Sequence, residues 1–480
     1  MTKPASKESI QRLCEDMNKI ILSSFNLLHG TLYTYSKLEQ IAEENKDRLF
    51  AIDAYKNLLE LYTYLLYGNI VLSVFLRASL RSISSVEKRF NLKNIVFLTT
   101  ELYKAINGKK GIWKKIQNAF TSDTEKSYIE DIEYKLEKFS RKYCTIDDKA
   151  YRDLAVHYDK NSIKVYEFFD FLSEDYECKR VSAFLEITNA YSNLVARRTR
   201  TIVEVDGNTN ERFTIKNEMI LGDVSGKMYS SLGDQITTMG QRLNEIQRLY
   251  SLPKAVEARL GVGGVSEQMS DFLQVAYLGI HIHFLYLDMA IAIRAYLSSE
   301  SSIEKAIHLA RLNLITYEGV RKIYRNDTDS FWRKYIVEII SPKDLISQRE
   351  VKDLETLLSF TSENEFLFDE EFRHNYAHIR GGKINRLPLL LNRMQQLDAL
   401  SELKRPLLLL RVLPRIMQLH KTALMTEEKK FDTKLKIQQH KSMQDFEVLI
   451  NKLPLNEIQR MNLLKKIESI KALISKICNQ

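Results

Sequence analysis

Residues 77–88 read RASLRSISSVEK, and residues 294–305 read RAYLSSESSIEK, with eight of the twelve positions identical. The two stretches are 217 positions apart. Other matched positions keep this offset or exceed it in small steps up to 225: Thr99 and Thr316, Trp113 and Trp332, and Lys179-Arg180 and Lys404-Arg405. A nearly constant offset is typical of one unit copied in tandem. The sequence therefore predicts two related halves.

The composition predicts that both halves are helical. The chain of 480 residues contains only 16 Gly and 7 Pro, and its apolar residues recur mostly at helical spacing. Residues 201–215 are the exception, because they alternate around Asp206-Gly207 and predict a short β-hairpin. We therefore expect an all-α fold. Its segments are a helical lead-in (1–44), a first repeat (45–200), a hairpin with a connecting helix (201–267), a second repeat (268–424) and C-terminal amphipathic helices (425–480).

Each half carries an Arg and a His five residues apart. Residues 152–157 read RDLAVH, and residues 373–378 read RHNYAH. The two Arg positions are 221 residues apart, so the motifs fall at corresponding points of the duplication. The candidate site residues are the two Arg, the two His and the polar residues that follow each Arg: Arg152, Asp153, His157, Arg373, His374, Asn375 and His378. Arg415 and His420 share the spacing, but they lie in an apolar helical segment without a counterpart in the first half.

These residue types suit metal-free cleavage of RNA. One His would activate the ribose 2′-hydroxyl and another would protonate the leaving 5′-oxygen, while the Arg pair would stabilise charge on the phosphoryl oxygens. On a regular helix an Arg and a His five residues apart lie about 140° from each other. They converge only if the helix loosens near the His or if both copies face one site. The alternative is structural: Arg152 pairs with Asp148, and His157 caps a helix end.

Two further matched pairs are candidates for a supporting role. Glu101 and Glu318 either orient the motif Arg residues through charge-assisted hydrogen bonds or are surface acids. Trp113 and Trp332 are interpreted as packing anchors and not as base-stacking platforms, because each is a lone aromatic residue beside basic residues.

Charge and cysteine content narrow the class of protein. An excess of nine basic residues permits an anionic partner such as RNA without requiring one. The four cysteines are scattered without a C-x-x-C pair, so we expect no zinc site, no disulfide framework and no cofactor.

The polar N-terminus predicts no signal peptide, and we expect a cytoplasmic protein. Residues 272–293 are apolar and long enough to span a membrane, but Asp288 and other polar residues interrupt them, which favours a core helix.

The two motifs resemble those of the HEPN superfamily: all-α units with R-x4-6-H, a polar residue next to the Arg, and the motif ahead of a late helix. The resemblance covers most of residues 45–424, but neither the hairpin nor the C-terminal extension. It implies two domains packed as a pseudo-twofold pair with both motifs facing one cleft. It also implies a metal-independent ribonuclease of a kind common in toxin and antiphage systems. The implied catalytic set is Arg152, His157, Arg373 and His378, with Asp153 and His374 in the polar second position.

Three classes of function remain open from the sequence. The first is an endoribonuclease acting as a toxin or antiphage defence effector. The second is a catalytically silent helical module that binds RNA or a protein through the same cleft. The third is a scaffold whose C-terminal helices assemble subunits. The expected partners are accordingly RNA, a second copy of the chain and a regulatory or antitoxin protein, with no membrane partner.

Overall fold

The computed structural model describes residues 7–44, 49–108, 111–120, 122–145, 162–199, 214–217, 222–260, 270–323, 332–333, 336–337, 348–362, 386–452 and 456–478. Within these ranges the chain forms fourteen α-helices and one isolated β-bridge. The expected all-α fold class is confirmed. The predicted hairpin lies mostly in residues 201–213, which are outside the described ranges.

The first half contains seven of the described helices. They are α1 (Lys7–Glu44), α2 (Leu49–Leu80), α3 (Ser85–Asn107), α4 (Trp113–Ala119), α5 (Asp123–Tyr143), α6 (Ser162–Phe169) and α7 (Glu174–Thr199). The long helix α1 packs along α2, and α2 in turn packs on α3, α4 and α7. The segment predicted as a helical lead-in thus contains a helix that packs on α2.

The second half and the C-terminal segment contain the other seven. They are α8 (Gly222–Leu260), α9 (Ser270–Ser298), α10 (Ser302–Ile323), α11 (Gln348–Ser362), α12 (Arg386–Gln395), α13 (Ala399–Lys452) and α14 (Glu457–Cys478). The chain divides into two compact units, one comprising Met1–Arg248 and Tyr277–Met417 and the other Leu249–Ala276 and Gln418–Gln480. The boundary expected after residue 424 falls inside α13.

Helices of the two halves begin at matched positions. Helix α3 begins at Ser85 and α10 at Ser302, which is the 217-residue offset of the repeated stretch. Helix α7 begins at Glu174 and α13 at Ala399, which is the 225-residue offset of the Lys-Arg pairs. Each half also opens with a long helix, of 38 residues in α1 and 39 in α8. The helices therefore keep the register of the sequence duplication from one half to the other.

The identical Ser and Glu residues of the repeated stretch cap helices. In α3 the Glu87 amide donates to Ser84 Oγ at 3.2 Å, and the Ile83 amide donates to Glu87 Oε2 at 2.9 Å. In α10 the Glu304 amide donates to Ser301 Oγ at 3.4 Å, and the Ser301 amide donates to Glu304 Oε2 at 3.3 Å. The arrangement in α10 is a capping box, and α3 has a variant of it in which Glu87 accepts the amide one residue before the N-cap Ser84. Both satisfy amides near a helix start.

Large and small residues are exchanged between the two halves at one matched helix contact. A Cβ on Gly68 of α2 would lie 3.0 Å from Leu102 Cδ1 of α3, and a Cβ on Gly319 of α10 would lie 2.5 Å from Leu285 Cδ1 of α9. Positions 68 and 285 are matched at the 217-residue offset, and so are positions 102 and 319. One contact is therefore made by Gly against Leu in the first half and by Leu against Gly in the second.

Helices α2 and α9 are buried along most of their length. The segments Ile52–Leu80 and Ser270–Ser298 are long and apolar enough to cross a membrane by length and composition, but 100% and 94% of their most apolar windows are buried inside the structure. Both helices thus serve as core helices, as interpreted from the polar residues that interrupt them.

Candidate active site

The two R-x4-H motifs lie outside the described residues, so the structure does not place Arg152, Asp153, His157, Arg373, His374, Asn375 or His378. Their position along the chain is nevertheless informative. The first motif lies between α5 and α6, and the second lies between α11 and α12. Helices α6 and α12 end at Phe169 and Gln395, close to the 225-residue offset. Each motif therefore precedes a matched pair of helices in its half.

Glu101 and Glu318 are both buried. They lie in α3 and α10 with 2% and 7% of their surface exposed. The alternative that they are surface acids is therefore wrong. A buried carboxylate is retained only when hydrogen bonds or a positive partner compensate for its lost hydration.

The two tryptophans are packing anchors, as predicted. Trp113 is 2% exposed and Trp332 is 4% exposed. The Trp113 ring lies edge-on to Tyr191 of α7, with 6.4 Å between ring centroids. Neither indole has a free face on which a nucleotide base could stack.

The two halves exchange ion pairs between matched residues. Arg77 of α2 donates to Glu304 Oε1 of α10 at 2.6 Å, and Arg294 of α9 donates to Glu87 Oε1 of α3. The arginines are equivalent at the 217-residue offset, and so are the glutamates. All four side chains are buried. A contact in which residue i meets j′ while j meets i′ is the defining property of a twofold interface.

Each of these glutamates uses its two oxygens for different tasks. Glu87 Oε2 accepts the Ile83 amide of its own helix cap, while Oε1 accepts Arg294 from the other half. Burial raises the pKa of Glu87 above its usual range, and Arg294 and the Ile83 amide oppose that rise. The residue that starts the helix is thus also the residue that binds the other half.

A second buried cluster at the same contact has no matched counterpart. Asp288 of α9 binds Lys93 of α3 and also accepts Arg311 of α10 at 2.5 Å. Arg311 donates to Asn91 Oδ1 of α3 at 3.0 Å. The positions equivalent to Asp288 and Lys93 are Val71 and Ala310. The cluster therefore joins the two halves through residues that are not repeated at the matched positions.

Side-chain contacts hold the end of the helix before the first motif and the end of the helix after it. Arg180 of α7 binds Glu177 at 2.8 Å and donates to the carbonyl of Tyr143, the last residue of α5, at 3.2 Å. After the motif, the Phe169 ring of α6 stacks on Phe284 of α9 with 5.7 Å between centroids. Helix α6, which follows the motif along the chain, thus contacts a helix of the second half.

The E-x-K-R pattern that contains Arg180 recurs in the second half. Only its Lys-Arg pair was identified from the sequence. Glu177 and Arg180 are matched by Glu402 and Arg405 at the 225-residue offset. Burial raises the pKa of Glu402, and the Asn313 side chain and neighbouring arginines, Arg405 included, oppose the rise. The signal was present in the sequence, because the Glu stands three residues before the Arg in both copies.

His420, of the third R-x4-H spacing, has a structural role. Its Nε2 lies 2.7 Å from the Val275 carbonyl, and burial lowers the pKa of His420 to about 4. A histidine that stays neutral and hydrogen-bonded in a helical core is unsuited to proton transfer near neutral pH. The interpretation of residues 415–420 as an ordinary helical segment is confirmed.

Comparison with known proteins adds no further constraint on the site. In the part of the chain that the structure describes, no group of three or more His, Cys, Asp or Glu side chains is arranged to hold a metal ion. Any assignment of function therefore rests on the residues and contacts of this chain. No protein-family model, curated protein or solved structure matches it.

Proposed function

We propose that the chain is a tandem pair of HEPN-like domains that assembles one metal-independent endoribonuclease site. The observation that carries the proposal is the reciprocal pairing of Arg77 with Glu304 and of Arg294 with Glu87. Such an exchange is the pattern that a pseudo-twofold relation between the halves would produce. Because the motifs at 152–157 and 373–378 are matched in the same duplication, the same axis would relate them, and the proposal places both motifs in one cleft.

The surroundings of the motifs support the proposal. Buried Glu101 and Glu318 are suited to orient Arg152 and Arg373 through charge-assisted hydrogen bonds. The contact of Phe169 with Phe284 directs the segment after the first motif toward the second half. A hairpin over residues 201–215 would connect the two domains.

The proposed reaction uses only groups present in both motifs. One His removes the proton of the ribose 2′-hydroxyl, whose oxygen attacks the adjacent phosphorus as the bond to the 5′-oxygen breaks. The other His donates a proton to the departing 5′-oxygen, and Arg152 and Arg373 stabilise the charge on the phosphoryl oxygens. The products end in 2′,3′-cyclic phosphate and 5′-hydroxyl. Such an activity fits a cytoplasmic toxin or antiphage effector that a regulatory or antitoxin protein restrains.

End-group analysis tests this chemistry. Purified full-length chain is incubated with single-stranded RNA in excess EDTA, and we expect cleavage with 2′,3′-cyclic phosphate or 3′-phosphate ends, while DNA of the same sequence stays intact. The variants Arg152→Ala and Arg373→Ala should lose the activity. Arg415→Ala is the matched control, because Arg415 shares the R-x4-H spacing and is exposed. Products with 5′-phosphate ends, or activity that Mg²⁺ restores after EDTA, would contradict the mechanism.

A specific observation favours a second candidate function, a helical scaffold that assembles subunits. Val448 and Leu449 of α13 and Ile458 and Met461 of α14 are each more than half exposed. Large exposed apolar side chains in one region mark surfaces that associate. If this scaffold role is the main one, Leu449→Glu with Ile458→Glu should reduce the mass of the particle measured by light scattering, and the parent should leave RNA uncut.

A further inference from the structure

Two matched helix junctions, one in each half, have the same backbone hydrogen-bonding pattern. The first junction is residues 170–173, between α6 and α7, and the second junction is residues 396–398, between α12 and α13. Three backbone hydrogen bonds of the first junction recur in the second at the 225-residue offset. They are Phe171 N–H to Phe168 O and Gln396 N–H to Arg393 O at 3.0 and 3.1 Å, Leu172 N–H to Phe169 O and Leu397 N–H to Met394 O at 3.3 and 3.4 Å, and Glu177 N–H to Ser173 O and Glu402 N–H to Asp398 O at 2.9 Å each.

The second junction holds an extended segment from the connection between the halves. The Lys216 amide donates to the Leu397 carbonyl at 3.2 Å, and the Ala399 amide donates to the Lys216 carbonyl at 3.0 Å. These two bonds form a parallel β-bridge between Lys216 and Asp398. Ile215, directly before the bridge, is 5% exposed, and Leu397 is 0% exposed. A short extended segment is thus bound through its backbone, with an apolar residue buried on each side of the contact.

The first junction offers the equivalent groups without such a segment. Leu397 and Ala399 are matched by Leu172 and Glu174 at the 225-residue offset. In the part of the chain that the structure describes, no backbone group pairs with the Leu172 carbonyl or with the Glu174 amide, which is the first amide of α7. Leu172 is only partly buried, and Phe171 beside it is 76% exposed. The acceptor, the donor and an apolar surface are therefore all available at this junction.

The residues that follow the two junctions differ in charge. Ala399 and Leu400 after the second junction are matched by Glu174 and Asp175 after the first. The ion pairs of these two acids, with Lys88 and Lys179, are at the surface. Carboxylates in such exposed pairs stay hydrated and accept further basic groups at little cost. A segment bound at the first junction therefore meets two carboxylates where Lys216 meets apolar residues.

We propose that the first junction binds an extended segment of a partner protein in the way that the second junction binds residues 214–217. One residue of that segment bonds the Leu172 carbonyl and the Glu174 amide through its own backbone, and it is Lys or Arg. The residue before it is aliphatic, like Ile215, and covers Phe171. Backbone bonds of this kind supply affinity, while the side chains supply specificity. The inference does not depend on the ribonuclease function.

The probe for this binding is a fluorescent peptide of residues 212–217, RFTIKN, with blocked ends, titrated into the full-length chain. Glu174→Pro removes the amide that the first junction offers, and Pro is well tolerated at the first position of a helix. Glu174→Gln is the matched control, because it removes the same carboxylate and keeps the amide. We expect the Pro variant to bind the peptide about 5-fold more weakly than the Gln variant. Equal affinities would overturn the inference.

A second pair of variants tests the apolar part of the surface. Phe171→Ala should raise the Kd of the peptide about 10-fold. Tyr134→Ala is the control, because Tyr134 is an aromatic residue of α5 that is 64% exposed and lies outside the junction, and it should leave the Kd unchanged. A peptide N-methylated at the amide of Lys216 keeps every side chain and should not bind. Binding of this peptide like the unmodified one would contradict the backbone contact.

Hydrogen exchange distinguishes a partner protein from other occupants of the first junction. In the chain alone, the Glu174 amide should exchange faster than the bonded Ala399 amide, and the peptide should slow it. Equal protection of the two amides in dilute chain would show that the chain itself covers the first junction. Protection of Glu174 that increases with chain concentration would assign the junction to a second copy. Either result would overturn the proposal of a partner protein.

Discussion

Arg77 contacts two carboxylates whose surroundings differ, and this difference makes the contribution of the buried one measurable. Glu304 is buried and lies 2.6 Å from the guanidinium, whereas the Glu300 side chain lies 2.5 Å away and is 60% exposed. A buried pair that loses one partner leaves an uncompensated charge, while an exposed partner is well hydrated without its ion pair.

We therefore expect Glu304→Ala to lower the free energy of unfolding by roughly 3–5 kcal/mol. Glu300→Ala, which removes a partner of the same arginine, should lower it by about 1 kcal/mol or less. Urea unfolding followed by circular dichroism measures both. Similar losses in the two variants would show that Glu304 does not form the buried link between the halves.

Lys93 gives the stability a dependence on pH. Burial, helped by the charge of Arg311 and opposed by Asp288, lowers the pKa of Lys93 from 10.5 to about 8. The folded state thus releases this proton at a lower pH than the unfolded state, so the unfolded state binds more protons between about pH 8 and 10.5. Stability from this group should rise with pH across that window.

The comparison is with Lys93→Met, which keeps the apolar stem and removes the charge. We expect the parent to gain free energy of unfolding relative to this variant as the pH rises from 8 to 10. Urea unfolding at several pH values measures the difference. A difference that stays constant over this range would mean that Lys93 keeps its ordinary pKa in the folded protein.

At the scale of helices, the exchanged glycines test whether the two halves share one packing scheme. Gly68 lies against Phe184 and Leu102, and Gly319 lies against Leu285. Overpacking a close crossing costs about 1–3 kcal/mol, so Gly319→Ala should lower the free energy of unfolding by this amount. Gly226→Ala in α8 is the control, because a Cβ there meets nothing within 4 Å, and should be stabilising by about 0.5–1 kcal/mol.

The sharper variant exchanges the two residues of the second half. Gly319→Leu alone should unfold the protein, whereas Gly319→Leu with Leu285→Gly recreates the arrangement of Gly68 and Leu102 and should restore most of the stability. Thermal unfolding compares the two. If the double variant is no better than the single one, the crossings in the two halves are not equivalent.

The sequence was informative about helices because caps and apolar spacing are local properties. The helical apolar spacing and the role of Trp113 and Trp332 as packing anchors were predicted from short stretches. The contacts between helices could not be predicted from such local patterns. Arg77 and Glu304 are 227 residues apart, and no local rule predicts that they meet.

At the scale of the whole molecule, the duplication predicts two similar halves but not the surface that joins them. Identical charged residues at matched positions were the available signal, since Arg77, Glu87, Arg294 and Glu304 all lie in the repeated stretch. The asymmetric cluster around Asp288 had no such signal. From the sequence, Asp288 was recognised only as a charged residue that interrupts an apolar helix. Its partners could not be predicted, because the matched position in the other half is not charged.

The asymmetric cluster also affects whether unlike or identical halves pair more favourably. The reciprocal Arg–Glu pairs would form equally well between two copies of the same half, because both residues are present in each. Two copies of the first half would instead bury Lys93 opposite Val71 without a carboxylate. Burying an unpaired charge is costly, so the cluster favours pairing of the first half with the second.

The measurement that tests the shared site most directly is the single-turnover rate of RNA cleavage by His157→Ala, His378→Ala and the double variant, all in EDTA. If one site uses both motifs as base and acid, each single variant should lose about 10²–10⁴-fold, and the double variant should lose little more. Circular dichroism confirms that the variants stay folded. Single variants that each keep about half of the parent rate would show two independent sites, and variants that cut RNA like the parent would contradict the catalytic assignment.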